Sequence, residues 1–307
     1  MSYVFGPVPS RRLGVSLGVD IVRRKYCTLD CLYCEVCKTD NLTIKREDFY
    51  DIDEIINEAK DTYNKLKDHL DVVTITGSGE PTLNKSFGEI AKRLKEFVKH
   101  PLVLLTNSTL FFMDDVKKDA LNFDIVVPSC DAGDEDIFNK INRPSKDIDF
   151  NKMIDGLIEF SKMFKGKLFV EVLLIKNIND SFKHLDKIAD IIKKMDYTCV
   201  QLNTAFRPTA HKNVKRLSEK ELLEKAIYLK SKGVKVEPVT NFMSKNPVYE
   251  DLFEVFYKML ELRPLSEKDI TLLFGEKFYN LLIEQERRDV KIFEYEGEKF
   301  LKKINLV

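Results

Sequence analysis

Four cysteines stand within eleven residues, in the string Lys25-Tyr-Cys27-Thr-Leu-Asp-Cys31-Leu-Tyr-Cys34-Glu-Val-Cys37. Thiolates are the ligands of iron–sulfur clusters, and a four-iron cubane takes four of them. Three thiolates from one tight CxxxCxxC loop would leave one iron open to a ligand from outside the protein. If Cys37 joined the other three, the set would instead suit a closed tetrahedral zinc. The i, i+4, i+7 spacing also marks one face of a helix, so three buried core cysteines are the plain structural alternative. In a chain with no export signal, such a cluster reads first as a metal site rather than as disulfides.

Other chemistry-bearing strings lie downstream. They are Gly77-Ser-Gly79-Glu80-Pro-Thr, Thr106-Asn107, Ser129-Cys-Asp131 and Gln-Leu-Asn203. Each follows a short apolar run that reads as a buried strand: 72–76, 102–106, 124–129 and 199–204, with 15–22 before the cysteines and 168–175 between. Amphipathic helices are expected over 51–66, 84–98, 111–121, 149–164, 180–195 and 218–232, with a last short strand at 234–239. The opening segment, with Pro7 and Pro9, reads as a loop. Six strand–helix units predict an α/β fold, an incomplete (β/α)6 TIM-like barrel, with a doubly wound open sheet as the second choice. Either fold binds ligands at the C-terminal ends of its strands, where the cysteine loop and the polar strings fall.

The 307 residues include 50 Lys+Arg and 50 Asp+Glu, and 44% are hydrophobic. That composition supports a real core and excludes a disordered chain or a general polyanion-coating protein. No apolar run reaches the length of a membrane helix and no secretion signal opens the chain, so a cytoplasmic protein with no membrane partner is expected. Residues 248–307 read as helices around Pro264, a helix over 278–288 and a hairpin turning at Glu296–Gly297. The expected division is a barrel over 1–245 and a small winged-helix-like module over 246–307. That module carries ten Lys/Arg against thirteen Asp/Glu. The sign is wrong for phosphate contacts, so DNA is not the expected partner.

The cysteine loop with aromatic Tyr33 before its third cysteine, followed by GSGEPT after the second strand, resembles the radical S-adenosylmethionine (SAM) superfamily. FGPVPSRRLGVSLGVD, KTDNLTIKRE and the strings Ile141-Asn-Arg143-Pro144 and Gln201-Leu-Asn203 with Arg207-Pro208 resemble its subgroup of wyosine-synthase-like iron–sulfur oxidoreductases. The tRNA-modifying members of that kind carry further N-terminal cysteines, and this chain has none before Cys27. The resemblance implies a [4Fe-4S] cluster on Cys27, Cys31 and Cys34, with S-adenosyl-L-methionine on its open iron. It implies reductive cleavage to a 5′-deoxyadenosyl radical, hydrogen abstraction from substrate, and a reductant such as ferredoxin or flavodoxin.

Role assignments follow from the same resemblance. Tyr33 lies at the cofactor. Gly77, Gly79 and Glu80 hold its amino group, largely through backbone. Thr106 and Asn107 bond its ribose or carboxylate, and Asn203 reaches adenine or substrate. Ser129 and Asp131 either contact the cofactor or cap a strand. No side chain is assigned as catalytic, because the cofactors supply the chemistry. Glu171 alternates with Phe169 and Leu173 and faces either the barrel interior or solvent. Arg11, Arg12, Arg23, Arg24 and Lys25, and Arg207, His211, Lys212, Lys215 and Arg216, would favour an anionic or tRNA-derived substrate if they converge, and are otherwise solvated charge. Cys37 reads as an incidental thiol, Cys130 and Cys199 as buried hydrophobes, and His69, His100 and His184 as surface residues. The competing functions are a redox-sensing iron–sulfur regulator that binds nucleic acid, a structural zinc protein, and a maturation enzyme acting on a metabolite or a partner protein.

Overall fold

A computed structural model describes residues 2–10, 12–238, 256–257, 259–260, 263–284 and 290–304. Strand β1 (Val4–Ser10) turns back antiparallel onto β2 (Gly14–Asp20), and the cysteine loop follows, tied by the short pair β3 (Tyr26–Cys27) and β4 (Asn41–Leu42). Next come α1 (Ile52–Leu66), β5 (Val72–Thr76), α2 (Phe87–Lys95), β6 (Leu102–Thr106), α3 (Asp114–Ala120), β7 (Ile125–Pro128), α4 (Glu135–Ile141) and α5 (Phe150–Met163). Strand β8 (Lys167–Leu174), α6 (Phe182–Ile192), β9 (Cys199–Thr204), α7 (Glu219–Ser231) and β10 (Val236–Pro238) complete the alternation. Further on stand β11 (Leu265–Ser266), α8 (Glu267–Phe274), α9 (Glu276–Glu284), β12 (Val290–Tyr295) and β13 (Glu298–Lys303).

The main sheet has the order β1-β2-β5-β6-β7-β8-β9-β10, parallel from β2 onward. Sequential order without reversal is what repeated right-handed crossovers give, and it has no switch point of the doubly wound kind. The six strand–helix units are present, in an open α/β sheet consistent with a partial barrel. Outward residues such as Val73, Ile75, Leu102, Leu104 and Val126 pack under the helices. Inward residues alternate with them. Val72, Val103, Ile125 and Val127 plug one end of the interior. Ser16 of β2 and Thr74 in the middle of β5 share a buried hydrogen bond of 2.6 Å.

The short strands β3, β4 and β11 were not expected from the sequence, and two larger elements also differ from it. The opening segment is strand β1, not loop. Proline lacks an N–H but is tolerated on an edge strand, and the register shifts between Phe5 and Val8 where Pro7 stands. The Phe5 ring lies over Gly18, where a Cβ would come within 2.2 Å of it, which explains a glycine in mid-strand. Helix α4, capped by Asp134 accepting from the Ile137 N–H, was also not expected.

In the C-terminal part, β11, β13 and β12 form an antiparallel sheet beside α8 and α9. The β12–β13 hairpin turns at Glu296 and Gly297, both at positive φ as a type I′ turn needs. Phe256, Met259, Leu265, Ile270, Phe278 and Leu301 make a separate apolar cluster, packed against Val8 and Leu66. The helix expected from Tyr249 onward and the end of the one over 278–288 fall largely outside the described residues, as do Arg11 and Val239.

Candidate active site

The cysteine loop lies over the C-terminal end of the sheet and is locked to the loop after β5 by backbone bonds. The Lys25 N–H donates to the Ser78 carbonyl at 3.0 Å, and the Glu80 N–H donates to the Tyr26 carbonyl at 3.0 Å. A Cβ on Gly79 would lie 1.8 Å from the same Tyr26 oxygen, so this glycine is required by the close approach of the cysteine loop.

Cys27, Cys31 and Cys34 are free and partly buried. Burial pushes the Cys27 thiol up to about 12, with the Glu80 charge adding to it and Cys34 contributing. Burial also raises Cys31 well above the ordinary thiol range, and Cys27 and Cys34 add to the rise. The three sulfurs therefore feel one another, while Cys37 is not among the leading influences on either group. Among the described residues, no three His, Cys, Asp or Glu side chains converge closely enough to hold one metal ion. A single zinc needs ligand atoms about 2–2.3 Å from one point. A four-iron cluster is gripped at separate corners and has no such requirement, so the donor set fits a cluster better than an ion. Each sulfur also has a nitrogen donor: Asn107 Nδ2 at 3.6 Å from Cys27, Asn142 Nδ2 at 3.5 Å from Cys31 and Lys25 Nζ at 3.3 Å from Cys34.

Glu80 is buried and its carboxylate is spent on the fold. Oε1 accepts from the Thr82 N–H, the Thr82 hydroxyl and the Thr106 hydroxyl, and Oε2 from the Asn107 N–H. Burial raises its pKa, against the opposing effect of these bonds. What the 77–80 segment leaves facing inward is Gly77 and Ser78, whose hydroxyl and N–H both donate to Asp20. Burial raises Asp20 too. Asn107 is likewise engaged, donating to the Thr28 hydroxyl and accepting from Thr109.

Asp131 is buried, and burial raises its carboxyl to about 6 although Tyr33 and the Leu173 N–H stabilise the anion. Its Oδ1 caps Leu173 at 2.7 Å, and its Oδ2 accepts from the Tyr33 hydroxyl and from Asn142 Nδ2. The strand-capping role is thus occupied, and the same carboxylate fixes the Tyr33 ring. Ser129 donates its N–H to the Thr106 carbonyl, and its own carbonyl accepts from Ser108.

A cavity of about 400 Å³ opens beside these groups. Cys34, Tyr33 and Gly77–Ser78 line one side, Glu171 and Asn203 another. Glu171 faces inward, ion-paired with Arg12 at 2.5 Å and accepting from Asn203 Nδ2 at 2.9 Å. Sequence reasoning missed the closure of the cavity. Met259 and Arg263 from the C-terminal part line it with Arg207. Arg207 bridges Glu35 at 3.2 Å and Asp269 at 3.3 Å, and Arg263 lies 3.6 Å from Glu35. These partners are far apart in sequence and carry no local signal.

The basic runs do not converge as a whole. Arg12 and Arg207 reach the cavity, but Lys25 is buried and turned to Cys34. Arg23, Arg24, Lys212 and Lys215 are exposed, and Arg216 pairs with Glu296 at 2.7 Å. His211 sits 3.3 Å from Asp30. His69 is exposed, but His184 is buried rather than on the surface, its Nε2 accepting from the Gly133 N–H at 3.1 Å. Its place with Leu185, Ile188 and Ile192 on one face of α6 was the available signal.

Comparison with known proteins bears on this arrangement. The family model described as the Radical SAM superfamily matches residues 21–188. A UPF0026 protein of Methanocaldococcus jannaschii is 32% identical over 313 residues, covering 99% of this chain and 96% of that one. A protein of Brachyspira hyodysenteriae named GTPase Obg is 43% identical over 223 residues, 73% of this chain, and the chain spans only 32% of that longer protein. Among solved structures, TYW1 with a bound lysine-pyruvate adduct matches with TM-score 0.54 and 18% identity over 74% of this chain and 76% of that one. A radical SAM methyltransferase from Sphaerobacter thermophilus matches with TM-score 0.56 and 16% identity over 73% and 66%. At such identities the structures testify to the fold alone. No helix among the described residues is long and apolar enough to cross a membrane.

Proposed function

Because this chain belongs to the radical SAM superfamily, whose cofactors are a [4Fe-4S] cluster and S-adenosyl-L-methionine, we propose that it is an enzyme that uses both to abstract hydrogen from a small anionic substrate. When bound, the two cofactors supply a 5′-deoxyadenosyl radical by reductive cleavage.

The proposed ligands are Cys27, Cys31 and Cys34. Backbone groups of Gly77 and Ser78 would receive the methionine amine, with Gly79 and Glu80 shaping that segment from behind. Thr106 and Asn107 hold Glu80 and thereby the floor of the site, so their contribution is positioning. Tyr33, oriented by Asp131, forms a wall, and Asn203 with Glu171 reaches the substrate side. Ser129 supports the same strand ends. The reading is carried by one observation: the cavity touches Cys34 and Gly77–Ser78 together, and two backbone bonds couple those loops. The cavity's concave shape suits a reaction from which bulk water must be kept once substrate is bound.

Arg12, Arg207 and Arg263 on the cavity wall can receive an anionic group of the substrate by exchanging their present partners Glu171, Glu35 and Asp269, which can in turn face a positive group on the same molecule. A ferredoxin or flavodoxin is the proposed reductant. The proposed division is 1–245 as barrel and 246–307 as a winged-helix-like module, supported by the separate apolar cluster of the C-terminal part. Because that module contributes Met259 and Arg263, a covering role is favoured over DNA binding.

Anaerobic reconstitution with iron and sulfide, then dithionite and S-adenosyl-L-methionine, tests the reading. Release of 5′-deoxyadenosine that disappears in Cys31→Ala is the expected result. Release of S-adenosylhomocysteine instead would mean methyl transfer. Tight, salt-dependent retention of bulk tRNA would move the substrate from a metabolite to RNA.

A further inference from the structure

Lys25 stands in an expensive conformation. It is a non-glycine residue at φ 62°, and it is 2% exposed. Its backbone is pinned, the N–H to Ser78 and the carbonyl to the Asn41 N–H. A buried ammonium needs a counter-charge. Among the described residues its Nζ makes no ion pair with a carboxylate; its partner is Cys34 Sγ at 3.3 Å. A neutral thiol does not compensate that charge, whereas the thiolate corner of an anionic cluster does.

The other two sulfurs are served by neutral amides. Asn107 reaches Cys27 while anchored by Thr28 and Thr109. Asn142 reaches Cys31 while donating to the Tyr33 hydroxyl at 2.9 Å, and its Oδ1 is buried without a partner. Every acceptor lies on the nitrogen side, which fixes the amide with its N–H groups toward the sulfur.

We infer that these side chains form a graded donor set, one for each cysteine sulfur, and that Lys25 is the positioning residue whose charge makes the cluster easier to reduce. One-electron reduction by a ferredoxin- or flavodoxin-class donor makes the cluster one charge more negative, with no proton required. A fixed cation and two N–H donors favour that more negative state. The ammonium acts at Cys34, the cysteine that lines the cavity. The inference rests on the cluster reading above.

The test is an anaerobic potentiometric titration of the reconstituted protein without S-adenosyl-L-methionine, followed by electron paramagnetic resonance. Lys25→Met is expected to load four irons and to show a clearly more negative midpoint than wild type, with Lys25→Arg restoring most of the shift. Asn142→Leu, which loses a neutral donor, shifts the midpoint the same way by less. Where Lys25→Met does not load, Lys25→Arg held at the wild-type midpoint and Asn142→Leu shifted below it decide the matter. A wild-type midpoint in a fully loaded Lys25→Met, or in Asn142→Leu where that variant must decide, overturns the inference. Absence of a four-iron cluster in the wild type overturns the cluster reading instead.

Discussion

The backbone of Gly79 runs so close beneath the Tyr26 carbonyl that no side chain fits between them, a Cβ falling 1.8 Å from the oxygen. The two loops that approach the cavity are therefore one packed unit. Gly79→Ala must push backbone against backbone, which costs about 1–3 kcal/mol or more when nothing can rotate away. Urea unfolding of the reduced apo protein should show that loss, with lower iron uptake. Gly77→Ala, whose Cβ would meet its nearest atoms at 3.3 Å, should lose clearly less. Equal losses would mean that the two loops are not coupled through Gly79.

Phe5 and Gly18 form a second such pair, this time side chain over backbone. Gly18→Ala drives a methyl into the ring and should destabilise by about 1–3 kcal/mol. In a Phe5→Ala background the same change should cost little, because the obstruction is gone. A double-mutant cycle by urea unfolding reads the coupling, and additive effects would disprove the packing.

Arg207 is the centre of the ion-pair network that joins the cysteine loop to the C-terminal part. Its charge is reinforced by Asp269 and Glu35 despite its burial. Arg207→Met removes a cation that both carboxylates share, and removing one partner of a fully buried pair costs about 3–5 kcal/mol. Arg263 remains near Glu35, so the loss should lie at the lower end of that range. Chemical denaturation measures it, and an unchanged midpoint would show that the network is solvated.

His184, buried in its neutral form, should make stability fall on acidification. Burial lowers its pKa below the ordinary imidazole value of 6.5, against the pull of Asp134 and with Lys187 acting in the same direction as burial. In the unfolded chain the ring takes its proton at the higher pH. The neutral ring's contribution is thus full above pH 6.5 and is lost as pH falls below it. Stability measured from pH 7 down to pH 5 should decline less steeply in His184→Gln than in the wild type.

Much of the scaffold was legible because buried parallel strands are short and apolar. VVTIT, LVLLT and CVQLNT matched their observed bounds. Strand β1 was hidden by its prolines, which removed the donors that an inner strand would need but that an edge does not. The cysteine spacing pointed to its chemistry, whereas the electrostatics around it were illegible. Lys25 looked like one cation among several in RRK, and only the turn at positive φ carries it inward. The Arg207–Glu35 contact joins residues 172 positions apart, which no local pattern announces. Glu171 was reducible to two faces by alternation, and its pairing with Arg12 selects the inner one.

The cavity wall contributed by Met259 and Arg263 comes from a segment that a ribosome delivers long after the cysteine loop and its six strand–helix units. During synthesis the thiols thus gather over a bowl still lacking its far side. Until that segment arrives the cavity beside Cys34 stands wider on that side, and its packing completes the wall.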